Sequence, residues 1–212
     1  VLLVHGAATT AAVWRRFVPV LTRGACRDLE VLAPDRPSTG ELGAEVAALA
    51  GSADGAVVVG VSGGATLGLA LLAAGIRLDG AVLHEPAVGS LVPGLLDHVS
   101  EGYAAGGVPG LGRALYGPAW SPAMAPGDPG AVERDLAMFR RFEPAPVAPG
   151  PGPVVVTVGA LSPPPRHAAA RALRDALGVS VRVLPGSGHF VHHENPAALA
   201  AVVLDVLAGR GR

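Results

Sequence analysis

Lysine is missing from this chain: all 16 basic residues among its 212 are arginine. With 30 glycines and 20 prolines beside them, this reads as coding bias rather than a functional device. Charge of either sign in excess is missing too. The formal net charge is −1, with no basic patch and no acidic tail, so nucleic acid is not an expected partner. A single cysteine, Cys26, excludes an internal disulfide and is read as a small buried residue. No initiator methionine and no signal peptide are visible. Val1 stands directly inside an apolar strand, so the expectation is a natural N-terminus further upstream and a cytoplasmic protein. Charge is absent altogether from Ala56 to Ile76, a length that would span a membrane, with Gly60, Gly64 and Gly68 spaced as in packed membrane helices. Its first half is β-branched, however, and its second half rich in Ala and Leu. A buried strand followed by a core helix accounts for it, and no membrane contact is expected.

Within that stretch, Val57-Val58-Val59 runs into Gly60-Val61-Ser62-Gly63-Gly64. Strand, sharp turn and helix in this order force the central serine into a strained conformation. The flanking glycines relieve the crowding, and the serine Oγ is presented at the top of a sheet. The rest of the chain alternates around it. Strands are expected at Val1–Val4, Leu29–Ala33, Ala56–Gly60, Gly80–His84, Val154–Val158 and Val179–Leu184. Helices are expected at Ala11–Thr22, Glu41–Ala50, Gly63–Ala74, Arg166–Leu177 and Pro196–Leu207, the last capped by Asn195. This rhythm predicts an α/β fold with a mostly parallel sheet and helices on both faces. Between Pro86 and Pro153 the rhythm breaks. One helix, with Asp128 as N-cap and Pro129 at N1, carries Val132, Leu136 and Phe139 on one face. Residues 87–150 are therefore read as an inserted cap, and 1–86 with 151–212 as the core.

In a parallel sheet the chemistry lies beyond the carboxyl ends of the strands. That rule selects His5, Asp35, Ser62, Glu85, Ser162 and the loop bearing His189, and sets aside Asp28, Asp54 and Asp79. Serine needs a base and an acid that orients the base. His189, in Gly186-Ser187-Gly188-His189-Phe190 after the last strand, is the expected base. An oxyanion needs two fixed backbone N–H donors. Gly63 at the helix N-terminus and Ala7 in the His5-Gly6-Ala7 loop are expected to supply them, with His5 propping the loop. His189 and His193 are four apart beside Glu194, but Gly188 and Asn195-Pro196 argue against one helix carrying both, so no metal and no cofactor are expected. His167, His192 and His193 are read as solvated.

His5-Gly6, Asp35-Arg36, Gly60-x-Ser62-x-Gly64 and Gly188-His189, in this order and spacing, resemble the α/β-hydrolase family. The resemblance covers nearly the whole chain except the cap, and implies that the family's opening strands are missing. Pro37 stands where that family usually has glycine. The family usually places an Asp after the strand ending at Val158, where this chain reads Gly159-Ala160-Leu161-Ser162. Ser162 followed by Pro163 is explained as a helix N-cap. Some members are similar in carrying the acid after the earlier strand, and Glu85-Pro86 stands there. The catalytic set implied is Ser62, His189 and Glu85, with Asp97 and Glu101 as remote alternatives for the acid. The reaction implied is cleavage of a small ester, thioester or lactone through an acyl-enzyme, with a small apolar acyl compound as partner. Trp120, Tyr103, Tyr116, Phe139 and Phe142 would shape the pocket. Acyl transfer, carbon–carbon bond hydrolysis and perhydrolysis reuse such a site. The missing Asp also motivates a different class, a non-catalytic binding or interaction protein on the same scaffold.

Overall fold

The computed structural model describes residues 1–25, 28–148, 150 and 152–209; Cys26 lies outside them. Five parallel strands form one sheet in the order β1 (Leu2–Val4), β2 (Val57–Val61), β3 (Gly80–His84), β4 (Val154–Gly159), β5 (Ser180–Leu184). Every residue of β1, β2 and β3 is buried. Successive side chains on a strand point to opposite faces, so both faces of the sheet are covered. The covering helices are α1 (Val18–Gly24), α2 (Leu42–Ala53), α3 (Gly63–Ala73), α6 (Pro164–Leu177) and α8 (Pro196–Leu207), with a short α7 (Val191–Glu194) before the last. Between β3 and β4 lie α4 (Asp97–Tyr116) and α5 (Pro129–Arg140). Among the described residues, no helix is long and apolar enough to cross a membrane.

Several local expectations change. The strand expected at Leu29–Ala33 is reduced to one bridge: Leu32 pairs parallel with Leu2, accepting from Leu3 N–H of β1 and donating to the carbonyl of Val1 just before it. It lies at the sheet margin, where Pro34 removes the next donor. The single helix expected at Ala11–Thr22 is a 3₁₀ turn, Ala11–Arg16, followed by α1 with Pro19 in its first turn. The helix expected to stop before Gly51 runs on to Ala53, and Gly55, at φ +72°, makes the turn instead. α4 is missing from the sequence reading. It is two helical arms joined at non-helical Gly106 and Gly107, with Pro109 opening the second arm. The arms pack closely enough that a Cβ at Gly110 would overlap the Gly102 carbonyl. Gly and Pro, which argue against a helix by propensity, here build the corner between two short ones.

The bridge at Leu32 places β1 between that segment and β2, so the winding direction reverses at β1. In open α/β sheets such a reversal leaves a crevice between the loops after the two strands concerned. The loop after β1 holds His5, Gly6 and Ala7, and the turn after β2 holds Ser62.

Candidate active site

Ser62 sits at φ +58°, ψ −122°, between the last residue of β2 and the first of α3. The surrounding glycines are required by contact. A Cβ on Gly64 would overlap the Val4 carbonyl, and one on Gly60 would overlap the Gly64 carbonyl. Register then does the next piece of positioning. Val61 is paired with His84 and His84 with Thr157, and Ser62 N–H donates to the His84 carbonyl at 2.9 Å. Ser62 and Glu85 are therefore the first residues beyond two adjacent strand ends. Glu85 also has positive φ, at +49°. Two neighbouring strands thus turn sharply at the same edge, and each presents a polar side chain there.

The Glu85 carboxylate accepts from His189 Nδ1 at 2.7 Å, from Gly159 N–H at 2.9 Å and from the Ser162 hydroxyl. Ser162 does not cap α6, whose N-cap is Pro163 without a side-chain bond; its hydroxyl is used on Glu85 instead. Burial alone would push the Glu85 carboxyl up, but the His189 hydrogen bond and the charges of His189, His84 and Arg166 hold it well below the usual carboxylate range. With Nδ1 donating to Glu85, His189 has Nε2 left buried and without a hydrogen-bond partner among the described residues. Burial first, and the nearby Arg166 charge second, lower the His189 pKa below its ordinary value, with Glu85 working against them. Asp97 and Glu101, on α4, form no hydrogen bond or ion pair with His189 among the described residues; the Asp97 side chain is 63 % exposed.

Ala7 and Gly63 come together across the crevice. The Ala7 nitrogen lies 3.3 Å from where a Gly63 Cβ would stand. The carbonyls of the Ala7 loop are all turned away and held. Gly6 C=O accepts from Thr9 Oγ1 and Arg36 Nη2, Ala7 C=O from the Tyr116 hydroxyl at 2.7 Å, and Ala8 C=O from Trp120 Nε1 at 2.8 Å. His5 props this loop as expected: Arg36 N–H donates to its Nε2 and its Nδ1 donates to Gly6 C=O. Burial pushes its pKa down to about 3. Asp35 stays outside the site, 69 % exposed, accepting from Ala11 N–H.

A narrow cavity adjoins Ser62 and Gly63. Of the aromatic residues expected to shape it, Phe139 lines it. Tyr116 and Trp120 hold the Ala7 loop, and the Tyr116 ring also stacks on His189 with centroids 5.6 Å apart. Burial raises the Tyr116 hydroxyl to about 12, opposed by hydrogen bonds with Ser62 and Thr9. Tyr103 is only partly buried and Phe142 is buried, but neither lines this cavity.

Three residues at the site escaped the sequence reading in these roles. His84, at the tip of β3, accepts from Thr157 Oγ1 and donates from Nε2 to Gly188 C=O, tying the strand to the loop that bears His189. Arg36 bridges core and inserted segment. It bonds Glu45 on α2 and Asp135 on α5, and its Nε donates to His5 C=O. Arg166 lines the cavity. A signal for it was present: Arg166 falls in register with Ala169, Ala170 and Leu173 on the buried stripe of α6. Two histidines read as solvated are not. His192 is buried against Trp14 and Phe190 with neither ring nitrogen bonded among the described residues, and burial lowers its pKa strongly. His167 is partly buried, with Nε2 on Ser162 C=O.

Solved structures of similar fold span several activities. A carboxylesterase, CesB (YbfK) from Bacillus subtilis, is 17% identical, with 98% of this chain and 83% of that chain covered and a TM-score of 0.66. The RedJ thioesterase of the prodiginine pathway in Streptomyces coelicolor is 18% identical over 97% and 89%, at 0.69. A haloalkane dehalogenase, DbeA from Bradyrhizobium elkani, is 15% identical over 99% and 89%, at 0.63. At these identities the likeness is one of fold. No curated protein sequence matches the chain. The model of the Alpha/beta hydrolase family matches residues 1–202, nearly the whole length, and the chain therefore belongs to the alpha/beta hydrolase family.

Proposed function

We propose that the protein is a serine hydrolase that cleaves a small ester, thioester or lactone. The observation that carries this reading is the Glu85–His189 hydrogen bond at 2.7 Å, which leaves His189 Nε2 buried and, among the described residues, unpartnered. In the proposed reaction Ser62 Oγ attacks the substrate carbonyl carbon and passes its proton to His189 Nε2. Glu85 accepts from Nδ1–H and stabilises the imidazolium by charge. The tetrahedral oxyanion receives the N–H groups of Ala7 and Gly63, neither of which donates to a described residue. Collapse expels the alcohol or thiol, which takes the proton from Nε2. Water then attacks the acyl-Ser62 ester, Nε2 accepts the water proton and returns it to Oγ, and the acid is released. A serine at the elbow suits acyl chemistry rather than dehalogenation, which needs a carboxylate nucleophile. Residues 87–150 act as a cap in this reading, closing an apolar cavity over the acyl group.

A fluorophosphonate probe tests it. Wild-type protein is expected to be labelled and folded Ser62→Ala protein to stay unlabelled; absence of Ser62-dependent labelling would sink the reading. Glu85→Gln is expected to lower kcat by a factor approaching ~10⁴, since it removes the charge and leaves the histidine tautomer unfixed. A loss of only a few-fold would dismiss Glu85 as the acid.

A further inference from the structure

Arg166 is the one charged residue of the cavity wall outside the Ser62–His189–Glu85 group. It is 5 % exposed. A guanidinium has five N–H donors and cannot shed its charge in a protein. Among the described residues Arg166 uses them for one hydrogen bond, Nη1 to the Glu85 carbonyl at 3.3 Å. Its Nε lies 3.7 Å from Glu85 Oε2, an ion-pair distance but too long for a hydrogen bond. Glu85 does not depend on it for donors, since Gly159, Ser162 and His189 already supply three. None of its other nitrogens is both sealed off and unpartnered among the described residues, so their donors are open to whatever enters the cavity. The remaining walls are aliphatic, with Leu96, Val99, Leu111, Leu115 and Leu136 among them. A slot of this kind is complementary to a chain that is apolar along its length and anionic at one end. A carboxylate is the best fit, because it matches the planar fork of arginine with two parallel hydrogen bonds.

We propose that Arg166 is a specificity-determining residue, binding the terminal carboxylate of a substrate whose short aliphatic acyl chain ends in an acid. This rests on the serine hydrolase reading for the reaction and replaces its purely apolar acyl group with an amphipathic one. Dicarboxylic half-esters are the matching chemical class.

Binding to Ser62→Ala protein reads the proposal without turnover. Monomethyl adipate carries the carboxylate, and dimethyl adipate has the same chain without charge; longer than succinate or glutarate, adipate does not readily close to an anhydride. By titration calorimetry the half-ester is expected to bind at least ten times more tightly than the diester. That ratio should fall below two when Arg166→Met is added and persist in part with Arg166→Lys. Equal or tighter binding of the diester, a ratio unmoved by Arg166→Met, or no saturable binding of either compound would overturn the assignment. The first and third comparisons need no arginine variant, so misfolding of one cannot shelter the idea. Hydrolysis of the p-nitrophenyl half-ester of adipate and of p-nitrophenyl hexanoate by wild-type protein separates the two readings. Selective binding without Ser62-dependent hydrolysis refutes the reaction and leaves Arg166 standing. Hydrolysis without preference for the half-ester refutes Arg166 and leaves the reaction.

Discussion

Glu85 does at one position what two separate demands require. It must be charged to orient His189, and it must be buried to reach it. The charge is kept by the three hydrogen bonds it accepts, one of them from the Ser162 hydroxyl. In the proposed reaction Ser162 therefore supports the acid rather than merely vacating its place. Returning the family's usual residue at this position tests that view. In Ser162→Asp, two carboxylates share one site and cannot both ionise easily, so one carboxyl pKa rises sharply. The expected outcome is lower kcat/KM, with the acidic limb of its pH profile moved upward relative to wild type. In the wild type, burial has lowered the His189 pKa, so the unprotonated base persists to lower pH. The acidic limb should then fall below the ordinary imidazole value of 6.5.

At the level of elements, the strand–turn–helix of β2, Ser62 and α3 is held by apolar side chains and close backbone contact at its glycines, whereas α5 adds a buried ion pair to its apolar face. Asp135 on α5 is buried and paired with Arg36, which also bonds Glu45 on α2. One helical turn beyond Asp135 stands Phe139, in the cavity wall. Breaking a buried ion pair costs about 3–5 kcal/mol when the other charge is left alone; Arg36 keeps Glu45, so the loss on removing Asp135 should be smaller. Asp135→Ala should show that loss in denaturant unfolding. In a hydrolysis assay it should raise KM more than it lowers kcat, because it displaces a cavity wall and leaves the Ser62 turn in place. An unchanged unfolding midpoint would mean that α5 is held by its apolar face alone.

For the molecule as a whole, several histidines are folded in their neutral form. Burial lowers His5 to about 3 and His84 to about 4, and lowers His192 strongly. Each regains an ordinary imidazole pKa near 6.5 on unfolding. Between that value and the folded pKa, the unfolded chain binds more protons, so stability falls as pH drops from about 6.5 towards 4. His84 alone accounts for about 3 kcal/mol of this at the low end. Thermal unfolding measured from pH 7.5 to 4 should show Tm declining steadily. His84→Asn should flatten part of that slope, although its own Tm at pH 7.5 will be lower.

What the sequence determined by itself was whatever local pattern encodes. β-branched runs, glycine spacing and helical periodicity marked all five strands to within a residue, and Ser62 on its turn. The order of loops at one sheet edge was enough to single out Ala7, Gly63 and His189. Local pattern misled where a corner is built from residues that oppose helices, as in α4, and where a polar residue lies buried, as with His192. The partner of His189 belonged to the tertiary structure. Glu85 and Ser162 were both at the correct edge in the sequence, 104 and 27 residues from that histidine. Only the pairing of β3 with β2 and β4, and the turn at Glu85, decide that the carboxylate meets the imidazole while the hydroxyl meets the carboxylate. Such a contact depends on strand register and chain direction together, and no stretch of sequence carries both.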